Sequence, residues 1–229
     1  MSAVGDAALF DLFRRITTAS LAGVMLKLGV SNQWVRGPMP LKRDFPRTVG
    51  RAFTMRFIPA REDVPGAFSD RLPVNREAVE MMPQGCIAIA DARGTLDAAT
   101  FGNIVVARMV KRGVAGIVTD GAVRDCNGLL ATGMPIWTCG VTAPPPTARM
   151  LLAAWQQPTG CGGVAVFPGD IIVADADGVV VIPAGMAARV AGNGLEQEQL
   201  DAWQMEQIGR GVSLAELTPL PKTGAGAKA

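Results

Sequence analysis

The chain has 229 residues, of which 49% are hydrophobic and 18% charged, with a formal net charge of +2 and neither histidine nor tyrosine. A near-neutral chain without a concentrated Lys/Arg run lacks the charge pattern of a nucleic-acid-binding protein. The absence of histidine excludes the commonest general base, Ser–His and Cys–His nucleophile pairs, and histidine-bearing zinc sites. Any catalysis must therefore use carboxylates, cationic side chains, hydroxyls, thiols, backbone amides or a metal held by oxygen ligands.

The cysteine pattern and the hydropathy indicate the cellular location of the protein. Cys86, Cys126, Cys139 and Cys161 form no C-x-x-C pair, which is typical of reduced thiols in a cytoplasmic protein. The most apolar stretch, residues 171–182, is too short to span a membrane and carries two aspartates. We therefore expect a cytoplasmic protein that binds neither membranes nor nucleic acid.

The first 90 residues are predicted to form helices and two strands separated by long loops. Residues 7–29 carry two apolar helical faces, the second of which has Thr17, Thr18 or Ser20 as candidate N-caps and ends at Gly29. The elements predicted after them are a strand over Thr48–Ile58, a long loop over Pro59–Pro73, a short helix over Arg76–Met82 and a strand over Cys86–Ala90.

Residues 86–139 alternate between apolar runs and helical patterns. This alternation implies parallel strands joined by right-handed crossover connections. After the strand that begins at Cys86, the predicted elements are a helix over Phe101–Arg112 capped by Thr100, a strand over Val114–Val118, a helix over Cys126–Thr132 and a strand over Ile136–Cys139.

Beyond the prolines at 144–146 the pattern changes to short strands joined by turns. Residues 175–178 could be taken for part of a calcium loop, but they lack the later ligands and the terminal Glu, so a hairpin turn fits better. We predict one layered α/β domain over residues 1–186, followed over 187–229 by a C-terminal helix and a frayed tail. The predicted elements are strands over Gly162–Phe167, Ile171–Ala174 and Val179–Ile182, a helix from Ala187 to about Gly209, and a tail over Thr218–Ala229.

The segment from Gly113 to Asp125 carries the strongest functional signal. Its apolar run at 114–118 is typical of a buried strand, and residues 119–121 supply turn chemistry after it. Arg124 and Asp125 follow directly: a guanidinium can grip a ligand carboxylate with two parallel hydrogen bonds, and a carboxylate can hold a hard cation. The alternative interpretation is an ion pair at the start of a helix, without further function.

Three segments together resemble a known family: FGN at 101–103, GVAGIVTDGAVRD at 113–125 and PGDIIVADADGVVVIP at 168–183. This is the family named for the regulator of ribonuclease activity A. It also contains metal-dependent class II pyruvate aldolases acting on 4-hydroxy-4-methyl-2-oxoglutarate and 4-carboxy-4-hydroxy-2-oxoadipate. The resemblance covers roughly residues 15–185. It implies a swivelling β/β/α sandwich that assembles as a homotrimer or hexamer, with active sites near subunit boundaries.

The resemblance also implies a role for each candidate site residue. Asp125 would hold Mg²⁺ or Mn²⁺ together with water, and Arg124 would bind the carboxylate of a 2-oxo acid. Backbone amides at the start of the preceding helix would bind the same substrate, because helix N-termini present unpaired N–H groups. These amides belong to Gly102, Asn103, Ile104 and Val105.

Two features of the outer part of the site come from the same resemblance. In the family aldolases, an acidic residue at the position of Asn103 orders metal-bound water. This chain departs from them because it has an asparagine there, and an amide can hydrogen-bond a water but cannot take up a proton. Those aldolases also use a glutamate from a neighbouring subunit's C-terminal helix, for which Glu196 and Glu198 are the candidates.

These roles predict a divalent-metal-dependent lyase. It would cleave a 2-oxo acid by a retro-aldol reaction, or decarboxylate one, through a pyruvate enolate, as 4-hydroxy-4-methyl-2-oxoglutarate aldolase and oxaloacetate decarboxylase do. Two alternatives stay open. One is a non-catalytic regulator that binds a ribonuclease, which Asn103 keeps in consideration, and the other is a protein that binds a 2-oxo acid or sugar acid without cleaving it.

Overall fold

The structure is a computed structural model that describes residues 3–61 and 75–217. Its helices are α1 (Ala3–Phe13), α2 (Thr18–Lys27), α3 (Asn75–Met81), α4 (Asn103–Lys111), α5 (Cys126–Ala131) and α6 (Ala187–Gly209). Its strands are β1 (Met39–Pro40), β2 (Thr48–Pro59), β3 (Ile87–Asp91), β4 (Gly116–Val123), β5 (Ile136–Val141), β6 (Met150–Trp155), β7 (Thr159–Cys161), β8 (Val164–Val166), β9 (Ile171–Asp175) and β10 (Gly178–Ile182). The predicted tail and most of the predicted loop over 59–73 lie outside the described residues.

One strongly curved sheet forms the centre of the fold. Its order is β1-β5-β4-β3-β2-β9-β10, and β6 pairs with the second half of β2. Strands β2 to β5 run parallel, as the helix–strand alternation predicts, whereas the flanking strands pair antiparallel. A bridge between Trp34 and Val180 brings the two edges towards each other, so the sheet is nearly closed. The predicted α/β sandwich with a C-terminal helix is thus confirmed.

Strand β4 is longer than predicted. Its predicted end lies before residue 119, but β4 continues to Val123, and all eight of its residues are buried. After a bulge, Ala122 pairs with Gly140 of β5, so the strand is extended by long-range pairing. The polar residue Asp120 fits inside because its carboxylate accepts hydrogen bonds from backbone N–H groups of other segments.

Two other local predictions are wrong. Helix α4 begins at Asn103 with Gly102 as its N-cap, and the hydroxyl of Thr100 donates instead to the carbonyl of Ala122 at 3.0 Å. Strands β6 and β7 have no counterpart in the prediction. The sequence of β6, MLLAAW, is apolar throughout and lacks the alternation that marks a half-buried strand.

Helix α6 packs on its own chain through its first half. Val190 is fully buried against α1 and α2, and a Cβ added to Gly194 would lie 2.8 Å from Ile16 Cδ1. The second half leaves Met205 and Ile208 exposed. None of the helices in the described part of the chain is long and apolar enough to cross a membrane.

Asp175 has a structural role in the hairpin between β9 and β10. Its carboxylate accepts hydrogen bonds from the Thr18 N–H (3.0 Å) and hydroxyl (2.6 Å), from Arg47 Nε (3.2 Å) and from the Asp177 N–H (3.0 Å). These bonds tie the hairpin to the start of α2. They confirm the hairpin interpretation of residues 175–178 over the calcium loop.

This network predicts a pH-dependent stability. Burial raises the pKa of Asp175, but the hydrogen bonds from Thr18, Asp177 and Arg47 outweigh burial and hold the pKa below its ordinary value. The stabilisation is therefore complete above the unfolded-state pKa, about 3.9, and is lost as the pH falls through the lower folded-state value. We expect Asp175→Asn to lose about 1–3 kcal/mol of unfolding free energy at pH 7 and less below about pH 4. Urea titrations at both pH values, with the exposed Asp177→Asn as control, measure this.

Candidate functional site

Arg124 and Asp125 lie where β4 ends and α5 begins, as predicted. Their side chains are 37% and 43% exposed, and Arg124 Nε lies 3.6 Å from Asp125 Oδ2. Within the described residues, the Arg124 side chain has this ion pair and no hydrogen bond. Most of its N–H donors therefore lack a partner among the described residues, and the partly exposed guanidinium can bind a ligand.

The backbone of Asp125 is in the left-handed region, with φ 61° and ψ 45°. That conformation costs a residue with a side chain about 1–2 kcal/mol, and Asp and Asn tolerate it best. Asp125 precedes α5, but its side chain makes no capping hydrogen bond to that helix. The carboxylate of Asp125 is therefore not used to cap α5, and its contact within the described residues is the ion pair with Arg124.

Gly102 brings the start of α4 against this pair. A Cβ at position 102 would lie 2.8 Å from Asp125 Oδ2 and 3.1 Å from Arg124 Nε, both closer than ordinary contact. Two backbone hydrogen bonds hold the segment before α4 beside the end of β4. Arg124 N donates to Phe101 O at 3.0 Å, and Thr100 N donates to the carbonyl oxygen of residue 122 at 2.8 Å. A side chain at position 102 would therefore displace one of these two side chains or the start of α4.

The first turn of α4 offers backbone donors next to the Arg–Asp pair. The first intrahelical bond there runs from Val106 N to Gly102 O at 3.1 Å, so the preceding N–H groups have no partner within the helix. Gly102, the N-cap, has no side chain to satisfy them. The helix end is thus suited to binding a carboxylate.

The side chains of this first turn differ in their surroundings. Asn103 lies against α5, where a Cβ on Gly128 would be 2.8 Å from Asn103 Nδ2. Ile104 is 81% exposed, while Val105 packs partly against the core. Ile104 and Val105 also line an apolar cavity of about 620 Å³ between α3 and α4, whose far wall is Trp155. The four predicted residues, 102–105, are therefore consecutive at the start of one helix, and Gly102 is the one that lies against the Arg–Asp pair.

The two candidate glutamates on α6 have different environments. Glu196 is exposed. Glu198 accepts hydrogen bonds from the N–H (2.7 Å) and hydroxyl (2.8 Å) of Thr17, the N-cap of α2. Partial burial raises the pKa of Glu198, but these bonds outweigh it and keep the pKa below its ordinary value. Glu198 is therefore a structural residue within its own subunit, and a catalytic role towards a neighbour stays a prediction.

Two buried carboxylates near the site were missed by sequence reasoning. Asp91 is the last residue of β3 and is 8% exposed, whereas Asp120 lies within β4 and is 7% exposed. The available signal was Asp120 in an otherwise apolar run, which was interpreted as a turn. A charged residue inside a buried strand instead indicates a specific set of hydrogen-bond donors.

The donor set fits a hard cation held mainly by water and substrate. Among the described residues, no group of three or more His, Cys, Asp and Glu side chains could enclose a metal. Mg²⁺ is commonly held by one or two carboxylates plus waters and substrate oxygens, and Asp125 offers one such carboxylate, which is 43% exposed and lies next to Gly102. The arrangement can therefore bind an anionic ligand and a divalent ion side by side.

Fold and site define an α/β protein whose nearly closed sheet presents an Arg–Asp pair to the start of a helix. The family model RraA-like (Aldolase/RraA) matches residues 6–181. The chain belongs to this family.

Relatives within the family carry different names. A Halalkalibacterium halodurans protein named "Putative 4-hydroxy-4-methyl-2-oxoglutarate aldolase" is 39% identical over 132 residues, which are 58% of this chain and 61% of that protein. The match thus spans less than two thirds of the relative. An uncharacterized Pseudomonas syringae pv. tomato protein of known structure is 26% identical, with a TM-score of 0.79 over 91% of this chain and 96% of its own. Streptomyces coelicolor RraAS2, described as an unusual member of the RNase ES inhibitor RraA family, is 28% identical, with a TM-score of 0.75 over 89% and 96%.

Proposed function

We propose that this protein is a divalent-metal-dependent carbon–carbon lyase that cleaves or decarboxylates a 2-oxo acid to give pyruvate. The observation that carries the proposal is the contact between Gly102, at the start of α4, and the Arg124–Asp125 pair. This contact supports the proposal because it brings the backbone donors of α4 next to a guanidinium and a carboxylate that are both partly exposed. The aldolase name of the Halalkalibacterium relative supports the same reaction class.

Each group has a role in this proposal. The planar guanidinium of Arg124 binds the substrate carboxylate with two parallel hydrogen bonds, and the N–H groups at the start of α4 add further donors. Asp125 holds Mg²⁺ or Mn²⁺. When bound, the ion supplies Lewis acidity that stabilises negative charge on the 2-oxo group. Asn103 donates or accepts hydrogen bonds at this edge, but its amide cannot take up a proton.

A screen of metal-dependent pyruvate release tests the proposal. Purified protein is supplied with 4-hydroxy-4-methyl-2-oxoglutarate, 4-carboxy-4-hydroxy-2-oxoadipate and oxaloacetate, with Mg²⁺ or Mn²⁺, and pyruvate is measured. We expect turnover of at least one substrate and its loss in excess chelator. Full activity in chelator contradicts the metal role. No turnover combined with inhibition of a ribonuclease would favour the function that the RraAS2 description names for its family.

Arg124→Lys separates carboxylate recognition from metal binding. A lysine keeps the charge but loses the planar fork, so we expect KM for the 2-oxo acid to rise about 10- to 100-fold. The Mn²⁺ affinity should change little, because the carboxylate of Asp125 is retained. Steady-state kinetics and Mn²⁺ titration measure the two effects. Arg149→Lys, at an exposed ion pair with Asp97, is the matched control, and an equal rise in its KM would contradict the assignment.

We further propose that the chain assembles as a homotrimer or hexamer. The support is the family resemblance together with apolar side chains exposed beyond the first half of α6, where Met205 and Leu214 are 68% and 78% exposed. Such residues are candidates for burial in a subunit interface. Light scattering on the purified protein tests this, and a monomer with full activity would rule out a shared site.

A further inference from the structure

The loop of residues 92–102, which leads from β3 into α4, is fastened along the second half of β4. Ala122 N donates to Thr95 O at 3.2 Å, Thr100 N to Ala122 O at 2.8 Å, and Arg124 N to Phe101 O at 3.0 Å. The loop ends at the glycine that contacts Arg124 and Asp125. Its position therefore sets the separation between the α4 amides and the Arg–Asp pair.

Asp120 holds the first residues of this loop. Its Oδ1 accepts a hydrogen bond from Ala92 N at 2.7 Å, and its Oδ2 accepts one from Gly162 N, at the β7–β8 turn, at 3.2 Å. The next residue, Gly121, shows how tightly the loop is seated, since a Cβ there would lie 2.5 Å from Ala92 Cβ and 2.9 Å from Thr95 O. Asp120, which is buried in β4, thus connects β4 to the loop of residues 92–102 and to the turn between β7 and β8.

Asp91 fastens the other side of the same junction. Its carboxylate accepts bonds from Thr159 Oγ1 (2.7 Å), Gly160 N (3.3 Å) and Arg93 N (3.0 Å). Arg93, whose N–H is one of these donors, has a φ of 57°, an unfavourable conformation for a residue with a side chain. Two buried carboxylates on neighbouring strands therefore fix the start of the loop from both sides.

We propose that Asp120 is a positioning residue for the site. By holding the start of loop 92–102 on β4, Asp120 fixes the distance between the α4 amides and Arg124, so that the amides and the guanidinium can bind the same ligand carboxylate. The kinetic part of this inference rests on the proposed function, whereas its structural part does not.

Burying the carboxyl group of Asp120 has an energetic cost. Burial raises the pKa of Asp120 and the charge of Asp91 adds to the rise, although the N–H groups of Ala92 and Gly162 oppose it. A buried carboxylate is costly to keep next to a second one. An asparagine in its place could accept only through one oxygen, and its NH₂ group would face an N–H donor.

The test compares Asp120→Asn with a matched variant, Asp170→Asn. Asp170 is equally buried, at 7%, and likewise accepts hydrogen bonds from two backbone N–H groups, those of Phe167 (2.9 Å) and Ala184 (3.2 Å). Asp170 precedes β9, and its backbone carbonyl accepts a hydrogen bond from Ala52 N. Ala52 pairs with Ile87, the first residue of β3. Asp170 therefore lies at the end of β3 that is opposite to the loop of residues 92–102. Both variants should lose a similar amount of thermal stability.

The readouts then differ between the two variants. For Asp120→Asn we expect amide hydrogen exchange of residues 92–105 to accelerate at least about 10-fold and KM for the 2-oxo acid to rise about 10-fold, because small misplacements at a site are costly. Neither should change more than about 2-fold for Asp170→Asn. If Asp120→Asn does not fold, Asp120→Glu, which keeps both oxygens but is one methylene longer, should displace the loop in the same way.

The outcomes distinguish the two proposals. Unchanged exchange at 92–105 in the Asp120 variant, or equal changes in the Asp170 variant, overturns the positioning role whatever the activity. Faster exchange confined to the Asp120 variant supports it even if no 2-oxo acid is turned over, in which case only the proposed lyase function fails.

Discussion

Asp125→Asn is expected to lower metal-dependent pyruvate release by more than about 100-fold while leaving the fold intact. Losing an outer partner of a bound metal typically costs 10- to 100-fold, and losing the one protein carboxylate that holds the ion should cost more. Asparagine is the right replacement because it tolerates the left-handed backbone of residue 125 as aspartate does. Alanine would add backbone strain to the loss of the carboxylate.

Three measurements on this variant separate its effects. Mn²⁺ titration should show weakened binding, kinetics should show the loss of kcat, and the midpoint of thermal unfolding without metal should stay close to that of the unmodified chain. Asp44→Asn, at an exposed ion pair with Lys42, controls for the loss of a surface charge. Retained turnover in Asp125→Asn would remove the basis of the proposed metal site.

The position of the Arg124–Asp125 pair was predictable because its signals are local. An apolar run followed by Arg-Asp indicates a buried strand whose end is exposed, and the structure places Arg124 and Asp125 there. The parallel arrangement followed from the alternation of strands and helices, and α6 followed from a helical stretch rich in Glu and Gln.

What could not be predicted depends on contacts far apart in the chain. Residues 119–121 read as a turn because their partners, Ala92 and Gly162, are 28 and 42 residues away from Asp120. Glu198 reads as a free surface carboxylate, but its partner, Thr17, is 181 residues away. In both cases a polar side chain is committed to backbone donors that only the folded chain brings near.

Gly102→Ala is the second substitution with a large expected effect. The backbone at residue 102 is extended, with φ −127°, so alanine is allowed there and the fold should persist. Its methyl group, however, would fall 2.8 Å from Asp125 Oδ2 and 3.1 Å from Arg124 Nε. Either those side chains move or the start of α4 moves, and both changes separate the groups that bind the carboxylate. We expect kcat/KM to fall at least about 10-fold, and up to about 100-fold for a displacement near 1 Å.

The matched control for this substitution is Gly192→Ala in α6. A Cβ at 192 meets nothing within 4 Å, so the change should be neutral for activity and should stabilise the helix by up to about 1 kcal/mol. Parallel measurement of kcat/KM, pyruvate affinity and thermal unfolding compares the same chemical change at a crowded and an open position. If Gly102→Ala keeps full activity, the close approach of α4 to the Arg–Asp pair is not needed for catalysis.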